Sequence, residues 1–347
     1  MIPKSILILG TDDAGAIENF FINGFKKCGI NITTFEIARQ YYVDIGKNGF
    51  NKVINKISPD FFCRDINRRL LEFLDKKKYD VILVFKGMQL FPETIKQLKD
   101  HAAIVANFNL DHPFKFLLSG SGNKNVLESI PFYDIHFSYS KKIVQQLKQA
   151  FKKDAFFIPF GYDDQTDVQH SADVSEYTNR ILFIGAYDKR RAAYLDKLKS
   201  SEMDIYGNDK WQSRNIFHPY IRRAYQKKSL YGKEYINAII SATGIINILR
   251  EQNLIEESHN MRSFEVPGYG GLLLSQRTSE QLEYFEEDKE AVYFGSAEEL
   301  RSKMDYLIKN NSTVTAIKRA GHERAVRDNY SYDNRSKQLL ACLNGYF

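Results

Sequence analysis

The residues best suited to chemistry lie in Glu256–Gly271, EESHNMRSFEVPGYGG, where Glu257 and Glu265 are separated by seven residues and Arg262 stands between them. The amides around Asn260–Ser263 are placed to open a helix, where backbone N–H groups and the helix dipole favour an anion such as phosphate. A carboxylate one turn further on can accept two hydroxyl hydrogens from a ribose. Glycines at 268, 270 and 271 allow close packing against a ligand or the next strand. Two glutamates at one spacing arise readily in a chain with 43 acids, so the flanking residues weigh more than the interval.

Three other stretches qualify. Gly185-Ala-Tyr-Asp-Lys-Arg-Arg191 sets a glycine at a strand end and the cations Lys189, Arg190 and Arg191 behind it. Such cations neutralise a diphosphate, or form the solvated first turn of a helix. Asn109-Leu-Asp-His-Pro113 places Asp111 and His112 where a sugar would be met, and histidine is the usual general base near neutral pH. The alternative is a histidine bonded locally beside a proline, and Lys86-Gly87 is a weaker candidate of the same kind. The loop Gly10–Gly15 brings Asp12 and Asp13 either to a ligand or to a helix cap. It is neither G-x-G-x-x-G nor a P-loop, so a nicotinamide-dependent oxidoreductase lacks its fingerprint. No His-x3-His or Cys-x2-Cys pair marks a metal set, and no cofactor or metal is expected.

The elements that must position these residues alternate. SILILG, INITTFEI, YDVILVF, Ala102–Phe108, Asp134–Ser138 and Phe156–Pro159 read as strands; Ile17, Phe20, Phe21 and Phe25 recur at helical spacing, and Lys141–Phe151 reads as a helix. Short joints and continuous apolar runs indicate parallel sheets buried on both faces. A polar stretch, 164–179, separates this half from a second that restarts with RILFIG and continues through MDIYG, a helix at Lys233–Ser241, strands at Gly244–Leu249 and Gly271–Ser275, and a helical tail from Ala297. The expected architecture is α/β with two facing Rossmann-like domains and an inter-domain cleft: 1–163, a linker 164–179, 180–330, and a final helix 331–347 returning to the first domain. The stretches Gln40–Asp65 and Leu117–Asn125 give no clear pattern, although glycine and serine in the second suit a mobile loop that closes over ligand.

Composition narrows the class. The chain has 347 residues, 27% charged and 43% hydrophobic, with cysteine only at 28, 63 and 342, which fits two globular domains without a disulfide framework. The longest apolar candidate, Ala238–Leu249, is interrupted by polar residues, and no cleavage site follows the first apolar run; a soluble cytoplasmic protein is expected. A net charge of +6 is too mild to indicate nucleic acid but suits anionic small ligands or an anionic membrane face. Arg214–Lys228 mixes basic and aromatic residues: an anionic-lipid or base-stacking contact, or a surface helix with tyrosines inside and charges outside.

RSFEVPGYGGLLLSQRTSEQLEYFEEDKEAVYFGSAEEL resembles the donor-binding segment of the CgeB-like, spore-protein-type glycosyltransferases of the GT-B superfamily. IPFGYD at 158–163, RILFIGAYDKRR, MDIYGNDKW and NYSYDNR at 329–335 extend the resemblance, which is specific in the C-terminal half and architectural in the N-terminal half. The resemblance implies metal-independent transfer of a sugar, hexosyl in type, from a nucleotide diphosphate donor to a glycan, lipid-linked or protein acceptor, at the inner membrane face if the acceptor is lipid-linked. It implies a ribose on Glu265, and a diphosphate facing Arg262, the amides near Asn260, and Lys189, Arg190 or Arg191. Gly185, Tyr206 and Gly207 complete the donor set, and Glu257 matches the first acid of the E-x7-E pattern of retaining enzymes. Retention is favoured on this resemblance; an Asp111 or His112 base would permit inversion, and a non-catalytic module binding a nucleotide sugar or glycan is the alternative from another class.

Overall fold

The computed structural model describes residues 2–13, 15–58, 60–115, 121–164, 175–215 and 218–347. It divides into two compact units: Met1–Pro159 together with Tyr332–Phe347, and Phe160–Ser331. The chain thus leaves the first unit at 159/160 rather than 163. Of the polar stretch 164–179, residues 165–174 lie outside the described residues, as do 116–120 of the glycine/serine loop.

The first unit is built on β1 (Ser5–Gly10), β2 (Asn31–Glu36), β3 (Tyr79–Phe85), β4 (Ala102–Asn109), β5 (Ile135–Ser138) and β6 (Asp154–Phe157). They pair in parallel in the order β2-β1-β3-β4-β5-β6. β1 and β3 are the longest apolar runs and occupy the sheet interior, where Leu7, Leu9, Ile82 and Val84 pack on Ile66, Leu70 and Leu74 of the helix Phe61–Leu74. On the other face, the helix Ile17–Lys27 buries Phe21 and Phe25 and receives the last long helix, Tyr332–Leu343, through a Phe20–Tyr332 stack at 4.9 Å and a Lys27–Asp333 ion pair at 2.5 Å. Removing that helix would expose the Phe20 and Phe21 rings, an apolar loss worth several kcal/mol.

Between β2 and β3 the chain forms helices Arg39–Gly46 and Gly49–Ile57 before Phe61–Leu74. No pattern in residues 40–57 announces these helices, because the usual rule is inverted. Asn51 and Asn55 face the protein: Asn51 Nδ2 donates to the Asp44 carbonyl at 2.6 Å, and the Tyr41 hydroxyl donates to Asn55 Oδ1 at 3.0 Å. Phe50, Val53 and Ile57 face outward, 72%, 53% and 80% exposed.

The second unit contains β7 (Ile181–Ile184), β8 (Met203–Tyr206), β9 (Gly244–Asn247), β10 (Leu273–Gln276) and β11 (Val292–Phe294), parallel in the order β11-β10-β9-β7-β8. Each unit therefore has a point where the winding reverses, at β1/β3 and at β7/β9. In open parallel sheets the ligand crevice lies beyond the carboxyl ends of the strands at that point.

His112 and His136 are both buried in the first unit, and burial brings both imidazoles down to about 4; Lys115 adds to this for His112, while the Ile130 carbonyl opposes it for His136. An unfolded histidine takes up its proton near pH 6.5, which the folded rings refuse. Stability should hold above pH 6.5 and fall as pH drops below it, by up to about 1.4 kcal/mol per pH unit for each ring. Urea unfolding at pH 7, 6 and 5 tests this; unchanged stability over that range would refute it.

Candidate functional site

In the second unit, four arginines converge beyond β7 and β9. Asp188 caps the helix Lys189–Leu198 by accepting from the Arg190 and Arg191 amides at 3.0 and 3.1 Å, which fixes where those two side chains leave the helix. Arg191 is buried and its Nε donates to the Ile248 carbonyl at 3.0 Å; Arg190 donates to the Leu249 carbonyl at the same distance. Burial, with Arg262, Arg250 and Arg190 around it, brings the Arg191 guanidinium down to about 9 against the pull of Asp188. Arg262 opens the helix Arg262–Gly268, and its Nε is buried with no hydrogen-bond partner among the described residues. Lys189 is exposed at the start of its own helix.

Glu265 lies one turn after Arg262 and accepts from the Tyr235 hydroxyl at 2.8 Å. Burial pushes its carboxyl up, opposed by Arg262 and by the tyrosine. The arrangement leaves an acceptor of hydroxyl hydrogens beside a cationic centre.

The two glycines of the donor set differ. A Cβ on Gly207 would lie 2.1 Å from the Gly185 carbonyl oxygen and 2.7 Å from Trp211 Nε1, so the tight joint of β7, β8 and Trp211 itself demands glycine. A Cβ on Gly185 would meet nothing closer than 3.4 Å. Tyr206 is buried against Tyr177, with Lys228 over its ring, and is a wall of the fold at the end of β8.

The Asn260 side chain is engaged in the fold: its oxygen accepts from the Ser263 amide at 3.2 Å, and its amide donates to Asn247 at 2.9 Å. It shapes the helix start instead of reaching outward. Glu257 is exposed in the left-handed region at φ 53°, bonded by the Ser279 hydroxyl at 3.4 Å; the buried acid is its neighbour Glu256.

In the first unit, the ends of β1, β3 and β4 gather three charged side chains. Lys86, held in the left-handed region at φ 58°, pairs with Asp111 at 2.6 Å. Glu18 is buried, packs on Gly10 and accepts from the Thr11 amide at 3.2 Å. Sequence reasoning missed Glu18, Arg250 and Tyr235. Glu18 had a signal: it stands three and seven residues before Phe21 and Phe25, on the apolar stripe of its helix. His112 Nδ1 accepts from the Phe114 and Lys115 amides, both at 3.2 Å, so the neutral ring carries its proton on Nε2. Asp12 is exposed beside Arg39 at 3.6 Å, and Asp13 supports the first helix through its backbone carbonyl, so neither side chain caps it.

Of Arg214–Lys228, residues 216–217 lie outside the described residues; Tyr225 is buried and donates to the Gly207 carbonyl at 3.1 Å, while Arg222, Arg223 and Lys227 are exposed. No group of metal-ligating side chains, and no helix long and apolar enough to cross a membrane, occurs among the described residues.

Residues 190–341 match the model of a family described as glycosyl transferase-like. No curated protein matches the sequence. Among solved structures, the chain is similar to the sucrose-phosphate synthase of Thermosynechococcus elongatus, with a TM-score of 0.70 at 10% identity over 99% of this chain and 98% of that one. It is also similar to HepE of Anabaena in complex with UDP and glucose, at 0.63 and 10% over 99% and 100%. A UDP-N-acetylglucosamine 2-epimerase follows at 0.55 and 15% over 100% and 97%. The likeness to these structures is one of fold: two Rossmann-like α/β units in the GT-B arrangement of strands and helices.

Proposed function

We propose that this chain is a glycosyltransferase that moves a hexosyl group from a nucleotide diphosphate donor, without a metal ion and with retention, to a glycan or lipid-linked acceptor, in the manner of the CgeB-like enzymes its sequence resembles. The observation that carries this reading is the convergence of Arg190, Arg191, Arg250 and Arg262 at the β7/β9 switch point, with Arg262 Nε buried and unbonded. Arg191 is buried and Arg262 half-buried, with Arg190 and Arg250 exposed beside them, so the like charges gather at the mouth of the site, where an anion would relieve their repulsion.

When the bond from the anomeric carbon to the phosphate oxygen breaks, its electron pair goes to the leaving nucleoside diphosphate. Guanidinium groups preorganised there stabilise that charge. Glu265 accepts from the ribose hydroxyls in this reading. The acceptor hydroxyl bonds to the anomeric carbon and releases its proton, which in a retaining course passes to the departing phosphate on the same face. The state of the first unit supports retention: His112 has Nδ1 engaged by amides, and Asp111 is paired with Lys86.

Thermal shift against UDP, GDP, CDP and dTDP and their sugars, with EDTA present, tests the reading. One nucleotide should raise the melting temperature, since a ligand of the native state stabilises by mass action. Glu265→Ala should weaken that ligand by roughly tenfold, the value of one or two charge-assisted bonds. No shift with any nucleotide would overturn the donor site; a shift without sugar transfer to any acceptor would favour the binding module.

A further inference from the structure

We propose that the helices Arg39–Gly46 and Gly49–Ile57 form a surface that seats on an anionic lipid bilayer. Phe50, Val53 and Ile57 recur at i, i+3 and i+7 and so form one outward face, which Tyr42, Val43 and Phe61 extend, all exposed. The face is a property of the folded unit, because Asn48 caps the second helix by accepting from the Asn51 amide at 2.7 Å, and Asn51 and Asn55 are bonded inward. A contiguous apolar patch on this scale marks an interaction site.

Charge identifies the occupant. Residues 42–61, which span the face, contain Lys47, Lys52 and Lys56 against Asp44 and Asp60. Lys47 is paired with Asp44 at 2.6 Å, whereas Lys52 and Lys56 have no acidic partner among the described residues. On the helix these two flank the apolar face, where long stems lie along hydrocarbon while the ammonium groups reach headgroup phosphates.

The surface is continuous with the first unit's strand-end crevice. Val43 lines the same open depression, about 360 Å³, as Asp12, Glu36, Arg39 and Arg69. A lipid-embedded substrate would be presented to the loop after β1. The membrane contact itself does not rest on the proposed reaction.

Flotation of the full chain with phosphatidylcholine vesicles, with and without phosphatidylglycerol, tests the proposal. The protein should float with the anionic vesicles only, and less as salt is raised. The triple variant F50S/V53S/I57S should lose at least about tenfold in vesicle partitioning while keeping its circular dichroism, melting temperature and nucleotide-induced shift. K52E/K56E should lose binding to anionic vesicles alone. Absence of flotation, or flotation that the triple variant retains, would overturn the proposal. A concentration-dependent dimer abolished by the triple variant, with no flotation, would assign the face to a second copy instead. A failed nucleotide shift with normal flotation would overturn the proposed reaction and leave this surface standing.

Discussion

Arg262→Ala will weaken binding of the donor's nucleoside diphosphate by roughly a hundredfold and leave the ligand-free melting temperature within about 2 °C of the parent. Both halves follow from the same geometry. Arg262 Nε is buried with no partner, so alanine breaks no Nε bond in the free protein, and the repulsion with Arg191 that it relieves offsets the attraction to the Glu265 carboxyl that it gives up. Glu265 retains the hydroxyl of Tyr235. In the complex the lost group is a charged donor to phosphate, the strong class of hydrogen bond. Calorimetric titration and a melting curve read the two quantities separately. Undiminished affinity would remove Arg262 from the donor site, and a fall of many degrees would make it a structural residue.

The largest effect on stability is expected from the two glycines, in opposite patterns. Gly207→Ala sets a methyl 2.1 Å from the Gly185 carbonyl, an oxygen already fixed by the Trp211 indole at 2.9 Å, while the Gly185 amide is tied to the Tyr206 carbonyl at 2.8 Å. Neither backbone can yield without breaking the β7–β8 ladder, so the cost should exceed about 4 kcal/mol. Gly185→Ala meets only the Phe183 ring at 3.4 Å and should cost less than about 1 kcal/mol. If the proposed diphosphate site lies at the end of β7, the Gly185→Ala methyl would occupy that space and lower nucleotide affinity by roughly tenfold or more. Urea unfolding and thermal shift on both variants decide the matter. Equal destabilisation would show that Gly185 is also a packing glycine, and normal nucleotide binding by Gly185→Ala would place the diphosphate elsewhere.

Strands were the most legible part of this chain. SILILG, YDVILVF and RILFIG sit in sheet interiors, buried on both faces, so their apolar runs had one simple explanation. The helix at Lys141–Phe151 was legible with the same bounds. Helices 39–57 were not, because their apolar residues face outward and periodicity arguments assume a buried stripe. Residues joined only by the fold were also hidden. His259 accepts from the Phe160 amide through Nε2 at 3.1 Å and, with its proton on Nδ1, meets the buried Glu280 at 2.5 Å. Ser263 and Ser275 both donate to Gln281, at 2.7 and 3.1 Å. These contacts span 18 to 99 positions for the most part, and no local pattern marks them. Of the cationic cluster beyond β7, the strand-end Gly185 and the run Lys189–Arg191 are local features of the sequence, whereas Arg250 comes beside them only because β9 runs beside β7.

The return of the helix Tyr332–Leu343 to the first unit makes that unit discontinuous in the chain. A ribosome delivers all six strands of the first sheet, then every residue of the second unit, before it releases the helix that covers Phe20 and Phe21. The second unit is complete while the first still shows an uncovered apolar face. Maturation therefore runs against the direction of synthesis: the earlier-made unit depends on a helix that is translated only after the whole of the later one.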